Sequence, residues 1–311
     1  MSLLCLIDEN IRLSEVHLEQ LATYAEIEFL EIANAYNSLL QQCHLLLLHN
    51  KLLPEQLQLM KNCRYIGLRA HNLDYLPIEL ADEMGIIIRN IPSLSAIAVA
   101  EHTFALIFAL AKNLVASHVE TVSGQWRSNS SLNFELYGKT LGIIGYGTIG
   151  RQVEKIGKSL GMQVMIADKP GTHESNRLPL DHLLQKSDIV TLHLSSTPSN
   201  RGYIDKHRLS LMKPRALLIN TARGSVLDYT ALEEALQEGK LGGAGLDVYD
   251  IEPATSSSLF DLPNVICTPH VAYATKEALA SKNNILIDQA LSYLRENSQV
   301  VCEKSPHPPT K

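Results

Sequence analysis

Four side chains able to bind an anion or move a proton follow three apolar runs in close succession. Arg223 comes after "LLINTA", Asp247 and Glu252 lie in "GAGLDVYDIEP", and His270 closes "NVICTPH". An apolar run that ends in a guanidinium asks for a reason, because arginine is almost never fully buried without a partner. A planar guanidinium holds a carboxylate through two parallel hydrogen bonds and polarises an adjacent carbonyl, which the point charge of lysine cannot do. Histidine titrates near neutral pH and can deliver the proton that a developing alkoxide requires. A neighbouring carboxylate, for which Glu252 is the candidate, favours the protonated ring. Singly, each residue has an ordinary explanation as a loop ion pair, a turn cap, a solvated charge or a core histidine. Together, Arg223, Glu252 and His270 suit reduction of a 2-oxo acid by hydride transfer.

A hydride carrier has its own signature upstream. The stretch "LGIIGYGTIGR" holds Gly145, Gly147 and Gly150 in a G-x-G-x-x-G pattern, with Thr148 and Ile149 between the last two. It follows an apolar run and opens a helical one, and the next apolar run leads to Asp168, the separation this motif requires. Gly145 permits a tight turn, Gly147 lets backbone approach a pyrophosphate, and Gly150 allows close helix–strand contact. The helix N-terminus supplies free N–H groups to the phosphates. Asp168 would accept hydrogen bonds from the ribose hydroxyls and repel a 2′-phosphate, so NAD is the expected cofactor, in preference to NADP.

These residues need a frame. Short apolar runs alternate with amphipathic stretches along most of the chain, the pattern of an α/β protein built on parallel sheets with crossover helices. "LLCLI", "IEFLEI", "LLLLHN", "YIGLRA" and "IIIRN" are strand candidates in the first part of the chain. A long apolar helix is expected from Ala96 to about His118, and a loop from Ser123 to Gly138. Six more strand candidates then follow: "TLGIIG", "QVMIAD", "DIVTLHL", "ALLINT", "GAGLDVY" and "NVICT". They describe a doubly wound nucleotide-binding domain whose ligands lie beyond the carboxyl ends of the strands.

Composition sets the outer bounds. A chain of 311 residues allows two domains, and 45% hydrophobic with 19% charged residues implies substantial cores. A net charge of −6 without a basic stripe argues against nucleic acid as a partner. Cys5, Cys43, Cys63, Cys267 and Cys302 show neither metal-ligand spacing nor a CxxC, so no metal is expected and reduced thiols are. The N-terminus lacks the basic and apolar regions of a signal peptide. The longest apolar candidate, Ala96 to Ala111, is shorter than the ~20 residues of a membrane span. A soluble cytoplasmic protein, with no membrane partner, is expected.

"NTARGSVLD", "GLDVYDIEP" and "CTPH", together with the glycine fingerprint, resemble the D-isomer-specific 2-hydroxyacid dehydrogenases from about Asp8 to Leu294. The resemblance implies two doubly wound parallel-sheet domains. One is a flavodoxin-like substrate domain of residues 1–92 plus 277–311; the other is a Rossmann NAD-binding domain of residues 93–276. It further implies that Arg223 binds substrate, that Glu252 and His270 transfer the proton, and that Asp247 contacts the cofactor end. Thr103, Leu194, Ser195, Thr221 and Ala222 would lie along the NAD site. A homodimer is implied too, with the helix after Ala96 and the Trp126 loop near the partner.

"HNKLLPEQL", "AEHTFALIFALAKNL" and "TPHVAYATKEAL" resemble the glycerate dehydrogenase and hydroxypyruvate reductase branch. That branch implies reduction of hydroxypyruvate or glyoxylate to D-glycerate or glycolate. Tyr273 stands where it often carries tryptophan. The substrate loop departs further: it runs from Gly67 to Asp74, with Arg69 in place of an expected glycine and Ala70 after it. Arg69 either adds a cation for a more acidic substrate or points into solvent. Some relatives use the same fold as an NAD-sensing, corepressor-like scaffold, which is the alternative to an enzyme.

Overall fold

The computed structural model describes residues 3–32, 38–73, 76–92, 94–126, 132–167 and 177–302. Asp168, the expected ribose ligand, lies outside them. The chain divides into two units, Met1–Leu94 with Lys276–Lys311, and Ser95–Thr275.

In the first unit, strands and helices alternate as β1 (Leu3–Asp8), α1 (Glu15–Ala22), β2 (Ala25–Leu30), α2 (Ser38–Gln42), β3 (Leu45–Leu48), α3 (Pro54–Leu59), β4 (Tyr65–Leu68), α4 (Ile78–Glu83) and β5 (Ile87–Asn90). The sheet is wholly parallel in the order β2-β1-β3-β4-β5, the flavodoxin-like arrangement. The run "LLLL" of β3 explains itself: Leu46 and Leu48 join one core and Leu45 and Leu47 the other. Helix α11 (Lys276–Cys302) returns to this unit and buries Leu286, Ala290 and Leu294 on the second face. A strand covered on both faces has no reason to alternate with polar residues.

The second unit contains α5 (Ala96–Ala111), α6 (Leu114–Val122), β6 (Thr140–Ile144), α7 (Thr148–Ser159), β7 (Gln163–Ile166), α8 (Leu180–Lys186), β8 (Ile189–Leu192), α9 (Lys206–Leu211), β9 (Leu217–Asn220), α10 (Tyr229–Gln237), β10 (Gly243–Leu246) and β11 (Val265–Cys267). Its six parallel strands lie in the order β11-β10-β9-β8-β6-β7, and all six match the expected segments. Leu178 adds an isolated parallel bridge to Ala167, next to β7, where a Rossmann sheet has its third strand.

The long apolar helix is not continuous. Asn113 takes the left-handed conformation, φ 49°, and splits it into α5 and α6 at an angle of 58°. Asparagine tolerates that geometry, and here it outweighs the apolar periodicity that suggested one helix. No single helix among the described residues is long and apolar enough to cross a membrane. Helix α5 instead lies against β9, β10 and β11.

Strand register positions the chemistry. Ile144 pairs with Leu192, Leu192 with Asn220, Asn220 with Leu246, and Leu246 with Cys267. Five strands therefore end level, and the next residues, Gly145, His193, Thr221, Asp247 and Thr268, leave the sheet side by side. Loops this close leave little room. A Cβ at Gly224 would stand 1.9 Å from the Tyr249 carbonyl and 2.4 Å from Asp250 N. Both obstacles are backbone, so a larger residue forces the two loops apart. Gly224→Ala is expected to lower unfolding free energy by at least the ~1–3 kcal/mol typical of overpacking, measured by urea titration.

Candidate active site

Arg223 is positioned from both sides along the chain. Asn220, fully buried at the end of β9, accepts a hydrogen bond from Ala222 N at 3.1 Å and donates to Arg223 O at 3.0 Å. After Arg223, a single 3₁₀ turn over Gly224–Val226 leads to Asp228, whose side chain caps α10 by accepting from Ala231 N. The half-buried Arg223 side chain donates through Nη1 to Ala222 O at 2.8 Å. Backbone on either side of Arg223 is therefore fixed before any ligand arrives.

Asp247 holds the next loop. Its carboxylate has no exposed surface. Oδ1 accepts from the Thr268 hydroxyl at 2.6 Å and from Val271 N at 2.9 Å; Oδ2 accepts from Ala272 N at 2.9 Å. These donors flank His270, whose own N–H points to Asp247 O at 2.8 Å and Thr268 O at 3.1 Å. His270 sits at φ 53°. A left-handed non-glycine residue is strained, and such strain persists only where the surroundings over-determine the backbone. The hydrogen bonds to Asp247 do that here. Besides the contact with the cofactor end expected of it, Asp247 thus fixes the loop that carries His270.

Glu252 and His270 meet. Nδ1 of His270 lies 2.7 Å from Oε2 of Glu252, and Oε1 of Glu252 accepts from Tyr249 N at 2.9 Å. Partial burial alone would raise the Glu252 carboxyl. The bonds from His270 and Tyr249 N, with the charges of His270 and Arg223, outweigh it and hold the group below its ordinary value. Glu252 thus stays ionised against the ring. Tyr273 presents its ring edge-on to His270, with centroids 6.0 Å apart.

The glycine loop has the shape a dinucleotide needs. Gly145 turns at φ 97° against the His193 backbone, and Gly150 lies so close to Gly145 O that a Cβ would come within 2.4 Å of it. Gly147, the N-cap of α7, faces open space where a Cβ would project, and it carries no side-chain cap. Thr148 and Ile149 begin the helix. Its first-turn N–H groups and the space above Gly147 fit a diphosphate. Leu194 and Ser195 follow β8 beside this turn, and Ser195 O accepts from Asn200 Nδ2. Thr221 reaches Thr103 on α5 at 3.0 Å, and both are buried. Among the described residues, no three His, Cys, Asp or Glu side chains are grouped to hold a metal ion.

In the first unit, Arg69 is only 4% exposed, so it does not point into solvent. Nη2 donates to Asn10 O at 2.8 Å and Nη1 to Asn283 Oδ1 at 3.2 Å, tying the turn after β1 to α11. Ala70 follows it at the end of β4 and accepts from Ile91 N. Burial and the Arg69 charge lower the neighbouring Lys282 to about 8.

Residues 104–272 match the family model described as "D-isomer specific 2-hydroxyacid dehydrogenase, NAD binding domain". The chain is 36% identical over 254 residues to a D-3-phosphoglycerate dehydrogenase of Methanocaldococcus jannaschii, covering 79% of this chain but only 48% of that one. It thus spans about half the length of that relative. It is 34% identical over 258 residues to a glycerate dehydrogenase of Methylorubrum extorquens, covering 80% of this chain and 82% of that one. Among solved structures, a D-lactate dehydrogenase of Aquifex aeolicus complexed with NAD and lactic acid superposes with a TM-score of 0.83 at 28% identity, covering 99% of this chain and all of that one. The strand-end constellation and the glycine fingerprint are carried by a member of the D-isomer specific 2-hydroxyacid dehydrogenase family.

Proposed function

We propose that the protein is an NAD-dependent dehydrogenase that interconverts a small 2-oxo acid and its D-2-hydroxy acid, with hydroxypyruvate and glyoxylate as the favoured oxo acids. The observation that carries this is the 2.7 Å Glu252–His270 pair, whose Glu252 carboxyl is lowered in part by the charge of Arg223. When bound, NADH supplies the hydride. The guanidinium of Arg223 binds the substrate carboxylate and polarises the carbonyl, and Nε2 of His270 gives the proton to the oxygen as it becomes an alkoxide. Glu252, ionised and in contact with Nδ1 of His270, stabilises the charged ring that donates. The glycine loop of Gly145, Gly147 and Gly150, with Thr148 and Ile149, takes the diphosphate. Thr103, Leu194, Ser195, Thr221, Ala222 and Asp247 line the rest of the cofactor site, and Asp168 selects NADH over NADPH. Arg69 and Ala70 contribute to substrate binding through the loop they begin. The similarity to a glycerate dehydrogenase supports the choice of oxo acid.

We also propose a homodimer. Val115, Val119 and Val122 are spaced along one face of α6 and are exposed, as is Trp126 just beyond, at 76%. Such a stripe on a monomer marks an interaction surface. Light scattering after size exclusion is expected to give about twice the chain mass of 34.4 kDa; Val119→Glu should return it to the single-chain value.

Turnover with NADH and NADPH across a panel of 2-oxo acids tests the function. Hydroxypyruvate and glyoxylate with NADH should give the highest kcat/KM. His270→Ala should reduce it by on the order of 10²–10⁴-fold, the worth of a positioned acid–base group. Arg223→Lys should depress all substrates alike through loss of the bidentate fork. NAD binding with no turnover of any oxo acid would leave the scaffold alternative.

The pH dependence carries a sign. Glu252 is held below its ordinary value and is therefore charged at the working pH, favouring the protonated ring. A carboxyl held low keeps its charge as pH falls through the ordinary carboxylate range and loses it only below that range, so reduction should hold its rate there and decline on the acid side of it. Glu252→Gln should lower kcat throughout and remove that acid-side decline, as a rate profile in the NADH-to-oxo-acid direction will record.

A further inference from the structure

We propose that His102 is a positioning residue for the loop that carries His270, acting from α5 through the Thr268 hydroxyl on the Asp247 carboxylate. The proposal rests on the assignment of His270 as proton donor and deepens it. His102 Nε2 lies 3.0 Å from Thr268 Oγ1 and 3.6 Å from Asp247 Oδ1. Thr268 has one hydroxyl proton, and the 2.6 Å contact commits it to Asp247. Its oxygen is therefore left to accept, which makes Nε2 the protonated nitrogen of His102. The order is fixed: His102 N–H to Thr268, then Thr268 O–H to Asp247.

The direction matters because of what lies downstream. Asp247 must keep Oδ1 toward Val271 N and Oδ2 toward Ala272 N, both 2.9 Å away. A hydroxyl free to rotate would hold that plane loosely; one already accepting from His102 has a single way to donate. Hydrogen bonds in such a chain strengthen one another in a low-dielectric setting. The next residue on the helix does the same for the other loop. Thr103 gives its proton to Val99 O at 2.8 Å and so accepts from Thr221, 3.0 Å away and two residues before Arg223. His102 and Thr103 together tie the Arg223 loop and the His270 loop to one helix.

A histidine that merely fills the core would tolerate an apolar side chain of similar size; a positioning histidine would not. The test compares His102→Leu, His102→Gln, Thr268→Val and the double variant His102→Leu/Thr268→Val. Readouts are kcat for oxo-acid reduction, NADH affinity by fluorescence, and amide exchange at Val271 and Ala272 in the protein without ligands. His102→Leu and Thr268→Val should each lower kcat about three- to tenfold, the scale of one net hydrogen bond. NADH affinity should be unchanged and exchange at both amides faster. Glutamine, whose amide can replace the Nε2 donor, should recover most of the loss. The double variant should be no worse than either single one, because both break the same chain.

Parental kcat and parental exchange in His102→Leu would overturn the proposal, as would additive losses in the double variant. Should His102→Leu fail to fold, Thr268→Val decides alone: parental kcat and exchange there overturn it equally. If His270→Ala leaves kcat unchanged, the proposed function fails, and the exchange comparison still decides whether His102 fixes the loop.

Discussion

Burying the Asp247 carboxylate removes it from water at a cost that only hydrogen bonds can offset. The chain supplies those bonds from Thr268, Val271 and Ala272, all within five residues beyond β11. Three donors so close in sequence can converge on one carboxylate only if the loop curls around it. That curl puts His270 into the left-handed region, φ 53°, with its ring directed at Glu252. The strained residue and the Glu252–His270 contact are thus two consequences of one buried charge.

The remaining geometry follows from the level strand ends. Because Asn220, Leu246 and Cys267 are paired in register, the loops after β9, β10 and β11 leave the sheet as neighbours. Arg223 and Glu252 then come close enough for the guanidinium charge to act on the carboxyl. The same proximity removes the side chain at position 224. The nearness of Arg223 to Glu252 and the glycine at 224 are one constraint seen at two positions.

Much of this was legible in the sequence. Short apolar runs located every strand of the second sheet, and the four inner ones, β6, β8, β9 and β10, are buried along their whole length, as strands covered on both faces are. The G-x-G-x-x-G spacing located the turn after β6, and residue types at strand ends singled out Arg223, Glu252 and His270, of which the last two meet. What escaped notice depends on partners distant in the chain. Asp247 accepts its hydrogen bonds from a loop more than twenty residues on, and His102 reaches Thr268, 166 residues beyond it. No spacing rule reports such contacts. Of the two readings of Arg69, burial against Asn10 and Asn283 removes the solvated one, and no residue spacing reports that burial. Asn113 did carry a signal, a helix-ending residue, which the strong apolar periodicity around it masked.

The dependence of the site on Asp247 is open to direct measurement by a crystal structure of the Asp247→Asn variant beside the parent. Asparagine keeps the size but offers one acceptor oxygen in place of two, so it cannot hold the Val271 and Ala272 amides as the carboxylate does. The parent should show His270 in the left-handed region with Nδ1 about 2.7 Å from Glu252. In the variant, residues 268–272 should rearrange, His270 should leave that region, and the contact with Glu252 should be lost. An unchanged loop, with the pair still in contact, would contradict the claim that a buried carboxylate builds this site.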